Sequence, residues 1–273
     1  MNIAAPILLA LGLLVAAPAM AQTETPAPAN ASTPALRDFC ADRPGKATPP
    51  CILDAGHAQI EVALADAVFQ HGNGQHETLT SVAASELRVG LTANLEIEAN
   101  WAPVIVDHQR GVGDVTGTGD LTVGVRRALT VQGGDGAQVS IQGYVTAPTA
   151  THGLGAGGWT GGARLPAAVP LAMNLSLGLA PEVDVVRNAA GGGAHVSLSL
   201  PVGVSRTFGK TTLGVEAWGL IDDDPQARTY QASVDFTAAQ GIGDNAQLDA
   251  GIYFGLNRNT PDVEAYVGIS HRF

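Results

Sequence analysis

The feature that most constrains this chain is a repeated two-residue alternation. From His57 onward, segments of about ten residues switch between apolar and polar and end at Gly, Asn, Asp or Pro. In "AQIEVALA" Ile60, Val62 and Leu64 share one parity, opposite Gln59 and Glu61. "LTSVAASELRVGLT" sets Leu79, Leu87, Val89 and Leu91 against Glu86 and Arg88. "NLEIEANWAPVIV" sets Leu95, Ile97 and Trp101 against Glu96, Glu98 and Asn100, and "GTGDLTVGVRRALTV" sets Leu121, Val123 and Val125 against Asp120, Thr122 and Arg126. Residues two apart point to the same side of a strand, so each segment reads as a two-faced ribbon. Further segments lie near 137–148, 158–168, 173–186, 194–207, 211–222, 228–238, 246–257 and 262–273. Twelve strands are expected, and no segment keeps a helical spacing along its length.

The connections alternate in size. "TAN" (92–94) and "RTFGKTT" (206–212) are short, whereas 107–119, 149–158, 187–195 and 221–229 are longer and polar. An even number of strands with short turns at one end and long loops at the other predicts an all-β fold, a transmembrane antiparallel up-and-down β-barrel of the bacterial outer-membrane kind. Composition decides which face is wet. Charged residues make up 14% of the chain, against about 25% in a usual soluble protein. A soluble barrel of this size needs bulky aromatics in its core, yet aromatics are 5% and the apolar parity holds mainly Val, Leu, Ile and Ala. The polar parity holds Ser, Thr, Gln and Gly with scattered acids and Arg. The aliphatic face is therefore expected to meet outer-membrane lipid and the polar face to line a lumen, because a closed barrel satisfies every backbone group. A charge at the lipid-facing midplane costs about 2–4 kcal/mol; Arg127 and His271 fall on that parity, each near a segment end. The few aromatics predict no pair of complete girdles.

The opening "MNIAAPILLALGLLVAAPAMAQ" has an apolar run followed by Ala19-Met20-Ala21, the pattern of a secretory signal peptide cut between Ala21 and Gln22. No later apolar stretch is long enough to cross a bilayer as a helix. The formal net charge is −11, with Lys46 and Lys210 the only lysines, which argues against a nucleic-acid partner. An exported chain meets an oxidising compartment, so Cys40 and Cys51 are expected to form a disulfide. Closing so short a loop stabilises it by roughly 3 kcal/mol in the chain-entropy model. The prolines from Pro26 to Pro50 make residues 22–55 unsuited to helix or strand. The expected organisation is a signal peptide (1–21), a Pro-rich linker and disulfide-stapled periplasmic segment (22–55), and the barrel (56–273).

The last strand, "PDVEAYVGISHRF", places Val263, Ala265, Val267, Ile269 and Phe273 on one parity. It resembles the recognition strand of outer-membrane barrels, apart from His271, and the resemblance implies handling by the barrel assembly machinery. Several stretches, among them "DFCADRPGKATPPC", "ELRVGLTANLEIEANW", "GTGDLTVGVRRAL", "APEVDV" and "LDAGIYFGLNRNTPDVEAYVGISHRF", resemble the outer-membrane transporter family grouped under the phenol-degradation MetA pathway. That resemblance implies a β-barrel admitting small, often aromatic or hydrophobic, molecules, in a Gram-negative outer membrane.

By parity the lumen holds Glu86, Arg88, Glu96, Glu98, Asp120 and Arg126 from the early strands. Later strands add Glu182, Glu216, Asp262, Glu264 and Arg272. Acids outnumber arginines, so a cation or neutral solute is expected to enter more readily than an anion. Tyr144, Trp218, Tyr253 and Tyr266 share the inward parity and are candidates to stack on an aromatic solute. The competing reading is that all these groups brace a narrow interior, since twelve strands fall between filled eight-stranded barrels and open porins. Two functions therefore stand: passive passage of a small solute, or a closed structural or interaction barrel with 22–55 as its plug. No cofactor or metal is expected. "GLGAGG" (153–158) has no βαβ unit around it. "GDVTGTGD" lacks the ligand density of a calcium loop, and His71, His76, His108 and His152 are irregularly spaced in or beside loops. For an enzyme, Ser197 and Ser199 near His195 are the nearest catalytic candidates, but the sequence supplies no evident orienting acid.

Overall fold

The computed structural model describes residues 36–72 and 75–273. The signal peptide, its cleavage point at Ala21–Gln22 and the linker up to residue 35 lie outside the described residues. Twelve antiparallel strands form one closed barrel. They are β1 (Ala58–Gly72), β2 (Gln75–Thr92), β3 (Leu95–Trp101 and Val104–Gln109), β4 (Gly113–Gly117 and Leu121–Ala128), β5 (Gln138–Ala147) and β6 (Thr160–Arg164 and Ala167–Leu171). The second half comprises β7 (Leu175–Leu179 and Glu182–Arg187), β8 (Ala194–Phe208), β9 (Thr211–Asp223), β10 (Arg228–Ile242), β11 (Ala246–Gly255) and β12 (Val263–Arg272). Each strand pairs with its neighbours in sequence. β1 pairs with β12 as well as β2, from Gln59↔Arg272 to Phe69↔Val263, which removes the edges.

Four strands are each broken once, and three of the breaks fall at Pro103, Pro166 and Pro181. Proline has no N–H for the ladder but keeps its carbonyl. Ser140 N donates to Pro166 O at 2.9 Å and Leu165 N to Pro181 O at 2.9 Å, so the wall stays connected through the interruptions.

Outward side chains form an aliphatic belt. Leu87, Val125, Val145, Val185, Leu198 and Val215, spread from β2 to β9, are all exposed on the outer wall. In water this would be a costly surface; in a bilayer it is the required one. Of the outward aromatics, Phe208 lies at the same rim as Phe273, Phe69, Trp159 and Tyr230 lie towards the opposite rim, and Trp101 and Phe236 sit at mid-strand. Arg127 and His271 point outward close to the terminal end of their strands. Phe273 N donates to Ala58 O at 2.8 Å, which pins the last residue to the start of β1.

Three expectations fail for local reasons. Leu79 does not share a face with Leu87, because Ala83 adopts φ 56° and shifts the parity of β2 midway. A second bulge at Leu64 does the same in β1 and turns Asp66 inward. The expected long loop at 107–119 is mostly strand, since Val104–Gln109 pairs with Gly113–Gly117 and leaves only a tight link. Asp262 does not line the lumen: it sits in the loop before β12, half-exposed and paired with His71 Nδ1 at 2.7 Å.

Candidate functional site

Residues 36–55 form neither helix nor strand and so must find partners for their backbone donors elsewhere. They find them on the inner wall of the barrel. Cys40 and Cys51 are disulfide-bonded, and the loop between them projects into the lumen. Asp42 N and Arg43 N donate to the Glu61 carboxylate at 3.0 and 3.1 Å. Gly45 N donates to Tyr266 Oη at 2.9 Å, Lys46 N to Glu216 Oε2 at 2.7 Å and Leu53 N to Glu96 Oε2 at 2.7 Å. Irregular backbone at membrane depth is tolerated only where it is buried in protein like this. Gly45 has φ +97°, and a Cβ there would meet Glu216 Oε1 at 2.6 Å, so the loop turns against the wall only with glycine at this point.

One side of the loop is held by two arginines with no exposed side-chain surface. Arg88 pairs with Glu96 (2.8 Å), Glu61 (3.2 Å) and Asp42 (3.0 Å). It also donates to the carbonyls of Cys40 (3.1 Å) and Cys51 (3.0 Å), gripping both ends of the disulfide. Arg126 pairs with Glu98 at 2.8 Å and bonds bidentately to Asp42. The carboxylates of Asp42, Glu86 and Glu98 approach one another within 4.8 Å. Arg88 and Arg126 supply positive charge to that group, which makes it part of an ion-pair network.

The other side of the loop carries its cations to the wall of β9–β12. Arg43 Nη2 lies 3.0 Å from Asp249 and stacks over Tyr266 at 4.6 Å from the ring centre. Lys46 Nζ reaches Asp235 Oδ2 at 2.9 Å and lies over Tyr253 and Trp218 at 3.6 and 5.1 Å. Tyr253 and Tyr266 meet edge-on at 5.4 Å. Tyr144 hydrogen-bonds Glu182 and Asp184, and Arg164 lies over its ring and pairs with Glu182 at 3.0 Å. The four inward aromatics are thus in contact with protein cations.

Two of the residues expected in the lumen lie near its rims, and Asp120 also lines a cavity shared with Glu61 and Glu86. Asp120 accepts from Ala150 N and Ala156 N, both at 2.8 Å, and fastens the loop after β5. Arg272 binds Asn245 Oδ1 at 2.8 Å and Arg37 O at 2.8 Å, tying the last strand to the entering segment. At the same rim, burial pushes the Asp54 carboxyl up, but hydrogen bonds from Arg37 and its charge outweigh this and hold it below the ordinary carboxylate value. His195 Nδ1 hydrogen-bonds Asn188 Oδ1 at 3.0 Å and lies 3.5 Å from Asp224, and its Nε2 lies against the Asp222 carboxylate. Sequence reasoning missed Asp42, Arg43, Lys46 and Arg164 as parts of the interior. The signal for the first three was the charged run "ADRPGK" between the cysteines, complementary to an acid-rich wall.

The loop leaves a cavity of about 290 Å³ against β1–β4, lined by Arg43, Glu61, Asp66 and Asp120, and space on further flanks. A cavity of about 330 Å³ lies on the β2–β6 side, lined by Glu86, Asn100, Tyr144 and Arg164 together with Arg43 and Thr48 of the loop. A third, of about 170 Å³, separates Pro44, Ala47 and Pro49 from the β6–β10 wall. Ala168, Ser176, Gly178, Gly203, Ser205 and Gly214 give that wall small side chains.

The fold is similar to that of an outer membrane channel from Pseudomonas putida F1, with a TM-score of 0.65 at 16% identity over 85% of this chain and 99% of that one. A KdgM porin (TM-score 0.48, 9% identity, 79% of this chain and 99% of that one) is more distant. So is the translocator domain of the autotransporter NalP from Neisseria meningitidis (0.48, 14%, 80% and 89%). No curated protein sequence matches. The closed barrel and its apolar belt make this a protein of the Gram-negative outer membrane. The family model described as "Putative MetA-pathway of phenol degradation" matches residues 41–273, the whole barrel and most of the loop inside it, and the chain belongs to that family.

Proposed function

We propose that the barrel is a channel for passive uptake of small solutes, including aromatic or hydrophobic ones, with cations and neutral molecules favoured over anions. The observation that carries this reading is that the disulfide loop fills only part of the lumen. It is bonded to carboxylates of the β1–β4 and β9–β12 walls, yet cavities of about 290, 330 and 170 Å³ remain between it and the β1–β4, β2–β6 and β6–β10 walls. Wall carboxylates such as Glu86, Glu98, Glu182, Glu216 and Glu264 outnumber the inward arginines, which favours cations electrostatically. The name of the structural neighbour, an outer membrane channel, agrees with passage, and the family description agrees with phenolic compounds among the solutes. In this reading residues 1–21 direct export, residues 22–55 approach from the periplasm, and the strand ending in Phe273 is read by the barrel assembly machinery.

A closed barrel is the second reading, favoured by the hold of Arg88 on both ends of the disulfide. Planar-bilayer recording under a KCl gradient separates the two. The channel gives steady openings from the intact chain, with a reversal potential on the potassium side. Silence from the intact chain, with openings only after deletion of 36–52, is the signature of a shut plug.

A further inference from the structure

We infer that the wall around Lys46 is a binding site for a small organic ammonium ion, and that Lys46 is its tethered occupant. The chain has only two lysines, and one is carried on the disulfide loop to the middle of the barrel. Its ammonium meets a carboxylate (Asp235 Oδ2, 2.9 Å), a hydroxyl (Ser233 Oγ, 3.2 Å) and two aromatic rings, Tyr253 at 3.6 Å and Trp218 at 5.1 Å. Aromatic faces with a carboxylate are the general means of recognising an alkylammonium, since the ring quadrupole attracts the cation and the rings shelter its alkyl groups.

Two further observations show that the site is built for more than Lys46. Asp235 is fully buried, and its Oδ1 has no hydrogen-bond partner although Oδ2 is paired. Beside the ammonium lies a cavity of about 170 Å³, bounded by Lys46, Trp218, Tyr253, Glu264, Thr260 and Pro261. The last two belong to the loop between β11 and β12, so the cavity faces the end of the barrel away from Phe273. The site is therefore approached from one end by a lysine and from the other by open volume.

The chemistry narrows the occupant. An anion is opposed by Asp235 and Glu264. Calcium and magnesium require six or more oxygen ligands, and the rings supply none. A compact primary ammonium with a short alkyl chain matches the shape Lys46 already occupies. Such a ligand competes with Lys46 for Asp235, so its binding is coupled to release of the loop from the β9–β12 wall. The site does not depend on whether the barrel conducts.

The test uses the full chain in detergent with n-butylammonium, the free analogue of a lysine side chain, read by Trp218 emission with Trp101 and Trp159 replaced by Phe. Lys46→Ala empties the box and is expected to bind n-butylammonium at least ten-fold more tightly than the unsubstituted chain. Neutral 1-butanol is expected not to bind, and adding Asp235→Asn is expected to abolish the gain. Equal affinity with and without Lys46, equal binding of butanol, or indifference to Asp235→Asn overturns the inference. If Lys46→Ala folds poorly, n-butylammonium present during refolding should raise the yield of folded barrel and 1-butanol should not; no difference between the two also overturns it.

Discussion

Arg88 has no exposed side-chain surface, yet it faces three carboxylates and two carbonyls. A buried guanidinium is tolerated only when its donors are paired in this way, and removing it strands the partners. Replacing Arg88 by Met should destabilise the folded barrel by about 3–5 kcal/mol, measured by urea unfolding in liposomes, because Glu61, Glu96 and Asp42 lose their shared cation. A loss under about 1 kcal/mol would place the network among weak surface pairs. Parity alone shows that Arg88 points inward. It does not show the partners, because Asp42 comes from a segment with no periodicity to read. Lys46 was hidden for the same reason: its strand partners, Asp235 and Tyr253, are visible in the alternation, and the residue between them is not.

At the scale of elements the strands were legible, whereas their breaks and bulges were not read from the alternation. Pro103, Pro166 and Pro181 mark three of the breaks, whereas Ala83 carries no sign that it will adopt a positive φ and move Leu79 to the other face. The fate of residues 36–55 was legible only in part. Two cysteines in an exported chain give the disulfide, but a Pro-rich charged loop reads the same whether it hangs outside a barrel or enters it. Its place is set by charge: Arg43 and Lys46 meet Asp249 and Asp235, and Asp42 meets Arg126. The disulfide limits how far the released loop can spread, a constraint of roughly 3 kcal/mol. The double variant Cys40→Ser, Cys51→Ser should keep an intact barrel, since its ladder is independent of the loop. Trypsin should cut after Lys46 at least ten-fold faster than in the disulfide-bonded chain. Equal rates would mean that the wall contacts hold the loop unaided.

The whole molecule is governed by two solvents. Aliphatic side chains cover the outside of the barrel, and charged and hydroxylated ones fill the inside. This inversion was legible because period-two alternation, low charge and few aromatics together leave no soluble arrangement with an adequate core. The asymmetry of the lumen was not legible: the loop leaves about 330 and 290 Å³ against the charged β1–β6 wall and about 170 Å³ against the small side chains of β6–β10. We propose that solutes pass on the side of the small residues, beside Ser176, Gly178 and Ser205. Ser205→Cys, recorded in planar bilayers during exposure to a cationic thiol-directed reagent, tests that most directly. Modification is expected to remove more than half of the single-channel current, while the same reagent leaves the unsubstituted chain unchanged. Full current through a barrel whose introduced thiol is demonstrably modified would contradict it.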